Sequence, residues 1–200
     1  EASNSEQLSE NFTNYELFDT PKIHWEYTTE KILTSEFIEG VRIDQISDLK
    51  KSINIENLTK VASEIFFYQS FRDGFFHGDL HPGNIFVDQS GKIIAIDFGI
   101  MGRLNLNDRK FLAKLFTFLL NKQFYKIAKL HQENGMLDKD TDLYKLTQEI
   151  RILAIPILNK PIGDISMGNL FGEILALSRK FNIKIQAKFC LLQKSMIMAE

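Results

Sequence analysis

The chain has 200 residues, of which 44% are hydrophobic and 25% charged, and this composition predicts one globular domain with a continuous core. The formal net charge is only −2, so we expect no broad basic surface and no nucleic-acid partner. The single cysteine, Cys190, excludes an internal disulfide and argues against a cysteine-ligated zinc site. No apolar run reaches the roughly 18 residues that a membrane-spanning helix needs, so we expect no such helix.

The first part of the chain is predicted to combine the end of a helix with strands. Its polar first residues indicate the tail of a helix, and the segments 22–28 and 31–38 alternate as strands do. Glu39 and Gly40 then interrupt the pattern, as a turn or hinge would.

A buried helix and a β-hairpin are predicted in the middle of the chain. Apolar residues at helical spacing predict a helix from Glu56 to Arg72, and Gly74 lies where that helix would end. The short apolar runs 85–87 and 93–96 are separated by Asp88-Gln89-Ser90-Gly91, which favours a tight turn. We therefore expect two short strands joined as a hairpin.

The rest of the chain is predicted to be almost wholly helical. Asn107 is the expected N-cap of the first of these helices, and Gly135 should end the second. Pro156 and Pro161 mark the one internal break that the pattern indicates. Further helices are expected at about 141–154, 168–181 and 185–199.

The segment that carries chemistry is His77-Gly78-Asp79-Leu80-His81-Pro82-Gly83-Asn84. It resembles the catalytic loop of kinases, because Asp79 and Asn84 stand five residues apart and Asp97-Phe98-Gly99 begins thirteen residues after the asparagine. A loop of that length can place an acid at the acceptor hydroxyl and return an amide to a metal. The hairpin would carry the second acid to the same point.

This pattern predicts phosphoryl transfer from ATP with Mg²⁺ as the metal. Carboxylate and amide oxygens suit a hard cation that must also bind phosphate and water. We assign Asp79 to the nucleophile, Asn84 and Asp97 to Mg²⁺, and His77 to bracing the loop. Gly99, next to the metal ligand, would relax the backbone there and belong to the nucleotide site.

Each signal has a simpler interpretation. The catalytic segment could be a turn rich in Asp and Asn that only caps its neighbours, but the number of matched positions disfavours this. His77, Asp79 and His81 could suggest a transition metal, although phosphoryl transfer accounts for all of them. Four acidic residues have the spacing of the ligands in a calcium-binding loop. The glycine that such a loop requires is absent, so capping of a helix by acidic residues is the favoured interpretation. Those acidic residues are Asp138, Asp140, Asp142 and Glu149.

Two longer segments, 74–87 and 96–104, resemble one family, the UbiB or aarF-domain atypical kinases associated with ubiquinone biosynthesis. Glu1-Ala2-Ser3-Asn4 is similar to the end of the amino-lobe helix of that family, and segment 31–40 to its strand and hinge. Gly78 stands where regulated protein kinases usually have arginine, so we expect no control by activation-loop phosphorylation.

The resemblance implies an α+β fold that is mostly α: the C-lobe of a protein kinase with a short catalytic β-hairpin and hinge strands. Residues 1–40 would be the end of the N-lobe with the hinge, and residues 41–200 the C-lobe, as a fragment cut at both ends. The hinge at Glu36, Phe37 and Ile38 would contact the adenine of ATP. Glu1 would belong to an ionic network of the amino lobe.

The resemblance also implies a kinase or ATPase that supports ubiquinone synthesis. Its partners would be a quinone-lipid precursor or lipid-biosynthesis enzymes, with possible peripheral membrane contact. Its location would be the bacterial cytoplasm at the inner-membrane face, or alternatively a mitochondrion. Two other functions stay open: a small-molecule kinase of the aminoglycoside or choline type, and an ATP-binding pseudokinase scaffold.

Overall fold

The computed structural model describes residues 1–45, 53–161 and 166–199. Contacts divide these residues into two compact units, one formed essentially by residues 1–103 and the other by residues 104–198. The mostly helical, kinase-like α+β fold expected from the sequence is confirmed. The lobe boundary at residue 40 stays a prediction.

The helices of the first unit are α1, Ala2–Asn11, and α2, Ile55–Phe67. The Asn54 side chain caps α2 by accepting from the Asn57 N–H, and an apolar face of α2 is buried. A π-helical turn, Tyr68–Asp73, continues the helix until Gly74 ends it at a φ of 67°. The predicted helix is therefore confirmed, but its last turn is wider than an α-helix.

Short strands form two small sheets in this unit. Strands β1, Phe18–Asp19, and β2, Val41–Arg42, flank the predicted hairpin of β4, Ile85–Val87, and β5, Ile93–Ala95, in the order β1-β5-β4-β2. The hairpin turn is closed because the Asp88 carboxylate accepts from the Ser90 and Lys92 N–H groups. The second sheet pairs β3, Phe75–His77, with β6, Met101–Arg103.

The strands predicted at 22–28 and 31–38 are not formed. A single bridge joins Ile23 to Ser35, and Trp25–Tyr27 is a 3₁₀ turn. Threonine hydroxyls take the hydrogen bonds that a strand ladder would use: Thr28 Oγ1 donates to the His24 carbonyl and accepts from the Thr34 N–H. Local side-chain bonds of this kind compete with regular secondary structure, and alternation of residues does not reveal them.

One hydrophobic core holds the first unit together and anchors the hairpin. Side chains from α1, α2 and both strands of the hairpin meet in it. The hairpin is fixed because Val87, Ile93 and Ala95 are almost fully buried. The core includes Leu8, Phe12, Phe18, Leu58, Val61, Ile65, Phe75, Ile85, Val87, Ile93, Ala95 and Phe98.

The second unit is built from helices, as predicted. Asn105, not Asn107, is the N-cap of the first helix, and it forms a capping box with Asp108. The Asp108 carboxylate also pairs with Lys188 at 2.6 Å. Gly135, at a φ of 66°, follows the second helix as expected. The helices are α3 Leu106–Leu120, α4 Phe124–Glu133, α5 Leu143–Leu158, α6 Met167–Lys180 and α7 Ala187–Ala199.

The break predicted at Pro156 and Pro161 falls at the end of α5, which continues through Pro156 and ends at Leu158, before Pro161. Pro156 lies in the last turn, where its missing N–H costs a single helix bond and the Asn159 N–H still reaches the Ile155 carbonyl.

Asp142 caps α5 through its carboxylate, which confirms the prediction of acidic capping there.

Gly102 leaves no room for a side chain. A Cβ built on it would lie 2.0 Å from Cζ of Phe76, whose ring is fully buried. We expect Gly102→Ala to lower the free energy of unfolding by about 3 kcal/mol, measured by urea denaturation. Gly91→Ala is the control, because its Cβ meets nothing and only its φ of 87° costs energy, about 1 kcal/mol. Equal losses in both variants would contradict the steric argument.

His131 makes the second unit sensitive to acid. Its buried ring donates from Nδ1 to the Ile127 carbonyl at 2.8 Å and packs edge-on against Phe111. Burial lowers the pKa of His131 below 6.5, so the folded state favours the neutral ring. Its contribution is complete above pH 6.5 and is lost as the pH falls towards the lower folded-state pKa, because the unfolded chain takes up the proton first.

We therefore expect the free energy of unfolding to drop less between pH 7.5 and pH 5.5 in His131→Phe than in the wild type. Phenylalanine keeps an aromatic ring against Phe111 but cannot take up a proton. Denaturation curves at both values of pH measure the difference. The same drop in variant and wild type would show that His131 does not contribute.

Candidate nucleotide and metal site

The predicted catalytic loop, residues 78–84, leaves the end of β3 and returns to the start of β4. Its exit is fixed because the Gly78 N–H donates to the Ile100 carbonyl at 2.8 Å, next to the β3–β6 pairing. Two backbone bonds then fold the loop, from the His81 N–H to the Asp79 carbonyl and from the Asn84 N–H to the His81 carbonyl. A 3₁₀ turn over Pro82–Asn84 feeds directly into β4.

The His77 ring joins this loop to the hairpin. It is fully buried, accepts from the Asp79 N–H through Nδ1 at 3.1 Å, and meets the Ile96 carbonyl through Nε2 at 3.1 Å. Because Nδ1 accepts, Nε2 carries the proton. Burial lowers the pKa of His77, opposed by its bond to Ile96 and by the nearby Asp97 and Asp79, so the neutral ring is favoured.

Gln69 supports the same histidine and was not predicted from the sequence. Its side chain is buried in the π-helical turn, and Oε1 accepts from the His77 N–H at 3.0 Å. A signal was present, because Gln69 follows Ile65 at helical spacing on the apolar face of α2. A polar residue in such a position is usually satisfied by a specific partner.

Asn84 holds the loop and the hairpin together. Its Nδ2 donates to the Asp79 carbonyl at 3.4 Å, and its backbone carbonyl accepts from the Ile96 N–H at 2.9 Å. Since the amide nitrogen faces Asp79, the amide oxygen points elsewhere and is available as a ligand. These bonds bring Asp79, Asn84 and the segment that leads to Asp97 to one place.

Asp97 has a backbone conformation that is uncommon for a residue other than glycine. Its φ is 60°, and Oδ1 accepts from the Gly99 N–H at 3.3 Å. The carboxylate is exposed, whereas the next side chain, Phe98, is buried with its ring 5.7 Å from the His77 ring. Left-handed conformations at such residues cluster at functional sites.

Two side chains at the start of α1, from its N-cap Glu1 and from Asn4, hold the peptide groups on either side of Phe98. Glu1 Oε1 accepts from the Phe98 N–H at 3.2 Å, and Asn4 Nδ2 donates to the Phe98 carbonyl at 2.9 Å. The ionic network that the family resemblance implies for Glu1 stays a prediction. Asn4 was not predicted, although asparagine is a poor helix former and its presence inside α1 is a signal for a specific partner.

An open cavity of about 660 Å³ lies beside Asp97. The predicted hinge residues Glu36, Phe37 and Ile38 line it together with Glu1 and Asp97. The Glu36 N–H already donates to the Lys22 carbonyl, so it is not available to a ligand. Among the described residues, the lining does not include His77, Asp79, Asn84 or Gly99. The adenine contact and the role of Gly99 stay predictions.

The donor atoms fit Mg²⁺ better than a transition metal. Both His77 nitrogens bond to backbone groups, which removes this ring as a ligand. Among the residues that the structure describes, no cluster of three or more His, Cys, Asp or Glu side chains could hold a metal. A carboxylate from Asp97 and an amide oxygen from Asn84 are hard ligands that leave positions for phosphate and water.

Two protein families match different parts of this chain. Residues 1–131 match the family described as the ABC1 atypical kinase-like domain, and residues 150–200 match the UbiB helical domain. A solved structure of the Rv3197–erythromycin complex from Mycobacterium tuberculosis is 17% identical and has a TM-score of 0.56. That match covers 98% of this chain and 55% of the other, so this chain spans about half the length of that relative.

Within residues 1–45, 53–161 and 166–199, no helix is both long and apolar enough to cross a membrane. The match over residues 1–131 includes the catalytic loop and the Asp97-Phe98-Gly99 segment, and it extends over more than half of the 200 residues. The predicted resemblance to UbiB proteins is thereby confirmed, and the chain belongs to the ABC1 atypical kinase-like family.

Proposed function

We propose that this chain carries the metal and nucleophile side of an Mg²⁺-ATP-dependent atypical kinase or ATPase. The observation that supports this most directly is the junction of loop and hairpin. His77 and Asn84 tie Asp79 to the Ile96–Asp97 segment through hydrogen bonds of 2.9 to 3.4 Å. Asp79, Asn84 and the segment that leads to Asp97 are thereby linked, and their side chains have the donor chemistry that a triphosphate and its cation require.

Asn84 and Asp97 are the proposed holders of the cation. Asn84 offers its amide oxygen because its nitrogen is engaged by the Asp79 carbonyl. Asp97 offers an exposed carboxylate at the end of the hairpin. When bound, Mg²⁺ would neutralise charge on the phosphates of ATP.

Asp79 is the proposed residue that orients the attacking hydroxyl or water. Its N–H donates to the neutral His77 ring, which fixes the backbone from which the carboxylate projects. Because His77 is uncharged, it orients this segment without adding a cation. The acceptor stays open, because water and a hydroxyl group would use the same residue.

The cavity beside Asp97 is the proposed position of the nucleotide. It lies between the hinge residues 36–38 and the metal ligand Asp97. We place the adenine near Phe37 and Ile38 and the phosphates towards Asp97. Gly99, the neighbour whose N–H meets the Asp97 carboxylate, belongs to the same side of the site.

We further propose that the activity supports the synthesis of ubiquinone or another quinone lipid. The match of residues 150–200 to the UbiB helical domain supports this proposal. A quinone-lipid precursor or a lipid-biosynthesis enzyme would then be the partner, reached by peripheral contact with a membrane. The bacterial inner-membrane face, or a mitochondrion, is the corresponding location.

Asp97→Asn tests the chemistry in the full-length protein. The amide keeps the size of the side chain but removes the charge that would hold the cation. We expect kcat/KM for Mg²⁺-ATP turnover to fall by roughly 10²- to 10³-fold, because a metal supplies several kcal/mol of charge stabilisation. Asp140→Asn, an exposed residue in the other unit, is the control and should leave turnover unchanged. Wild-type turnover that does not depend on Mg²⁺ would refute the proposal.

Quinone content tests the biological role. In cells that lack the native gene, the wild type and Asp140→Asn should restore the quinone level, and Asp97→Asn should not. Quantification of extracted quinones measures the outcome. Full restoration by Asp97→Asn would favour the scaffold instead. If purified protein phosphorylates an aminoglycoside or choline and quinone levels do not respond, the small-molecule kinase is favoured.

A further inference from the structure

The peptide groups beside the metal-binding aspartate are held from outside the loop. Phe98 follows Asp97 directly, and both of its backbone polar groups bond to side chains at the start of α1, from the N-cap Glu1 and from Asn4. Its N–H donates to Glu1 Oε1 at 3.2 Å, and its carbonyl accepts from Asn4 Nδ2 at 2.9 Å. Glu1 is the N-cap of α1 and Asn4 lies in its first turn, so both side chains reach the same peptide segment.

The two hydrogen bonds to Phe98 act on the orientation of Asp97. The Phe98 nitrogen belongs to the peptide that ends Asp97, so fixing that peptide plane also fixes the ψ of Asp97. Asp97 has a φ of 60°, a conformation that persists only where the surroundings impose it. The buried Phe98 ring supplies one constraint. The bonds from α1 supply the other.

We propose that Asn4 is a positioning residue for the Asp97 carboxylate. This inference rests on the proposed function. Asn4 would not touch the nucleotide or the cation. It holds the Phe98 carbonyl, whose peptide group also contains the Gly99 N–H that donates to Asp97 Oδ1 at 3.3 Å, and it thereby holds the Asp97 carboxylate in the geometry that binds Mg²⁺.

Packing of α1 does not depend on Asn4. The helix is anchored by the buried residues Ala2, Ser5 and Leu8. Ser5 also donates to the Pro21 carbonyl, and its own carbonyl accepts from the Thr20 hydroxyl. Alanine is moreover a better helix former than asparagine. Loss of the Asn4 amide should therefore change the metal site and leave the helix in place.

Two substitutions in the full-length protein test this inference. Asn4→Ala removes the donor, and Asn4→Asp keeps the shape but presents a carboxylate that cannot donate to the Phe98 carbonyl. We expect both variants to raise the Mg²⁺ concentration for half-maximal ATP turnover by roughly 10- to 100-fold, as for other residues that orient a metal ligand. Ser3→Ala, an exposed neighbour on the same helix, should match the wild type.

Two further measurements separate positioning from a general loss of structure. Asn4→Ala should lower the Tm only by the few degrees that the loss of one hydrogen bond explains, and the protein should stay folded under the assay conditions. Binding of ATP in the presence of EDTA should be unchanged, because adenine contacts do not involve the cation. An unchanged Mg²⁺ requirement in both variants would overturn the inference. So would equal weakening of ATP binding with and without Mg²⁺.

A refuted role for Asn4 can be told apart from a failure of the proposed function. If the wild type itself shows no Mg²⁺-dependent turnover, the function fails, and Mg²⁺ binding followed by calorimetry still compares Asn4→Asp with the wild type. If the wild type is active and Asn4 variants respond to Mg²⁺ as it does, only the role of Asn4 is refuted.

Discussion

A buried, uncharged histidine joins the catalytic loop to the hairpin, and the candidate site depends on that junction. His77 can accept from the Asp79 N–H only while Nδ1 has no proton, and it can meet the Ile96 carbonyl only while Nε2 has one. Burial lowers the pKa of His77 and so stabilises the one charge state that satisfies both contacts. Gln69, from the π-helical turn, fixes the backbone of the same residue.

The second constraint is the left-handed backbone at Asp97. Such a conformation costs on the order of 1–3 kcal/mol for a residue with a side chain, so neighbouring contacts must offset it. Here those contacts are the burial of Phe98 and its bonds to Glu1 and Asn4. A carboxylate aimed by imposed backbone geometry is already oriented before a ligand arrives, which lowers the cost of binding.

Much of the fold follows from local patterns in the sequence. The hairpin of β4 and β5 could be predicted because its turn residues and apolar runs are contiguous. Helix α2 could be predicted from its apolar spacing, but the wider turn at its end could not. The segment 22–38 was predicted as strands, because alternation does not show that the Thr28 hydroxyl would take backbone bonds. Asn107 was predicted as the N-cap of α3, but the N-cap is Asn105. The sequence does not show which of two nearby asparagines will bring its side-chain oxygen to the free N–H groups of the helix.

The sequence by itself determined the family and the candidate site residues, because the spacing of Asp79, Asn84 and Asp97 within a short stretch restricts how a loop and a hairpin can meet. The family assignment rests on the matches over residues 1–131 and 150–200, and the first of these includes those three residues. Only the tertiary structure decided how those groups are held. Asn4 and Phe98 are 94 residues apart, and contacts over such a separation depend on how helices and strands pack rather than on any local pattern.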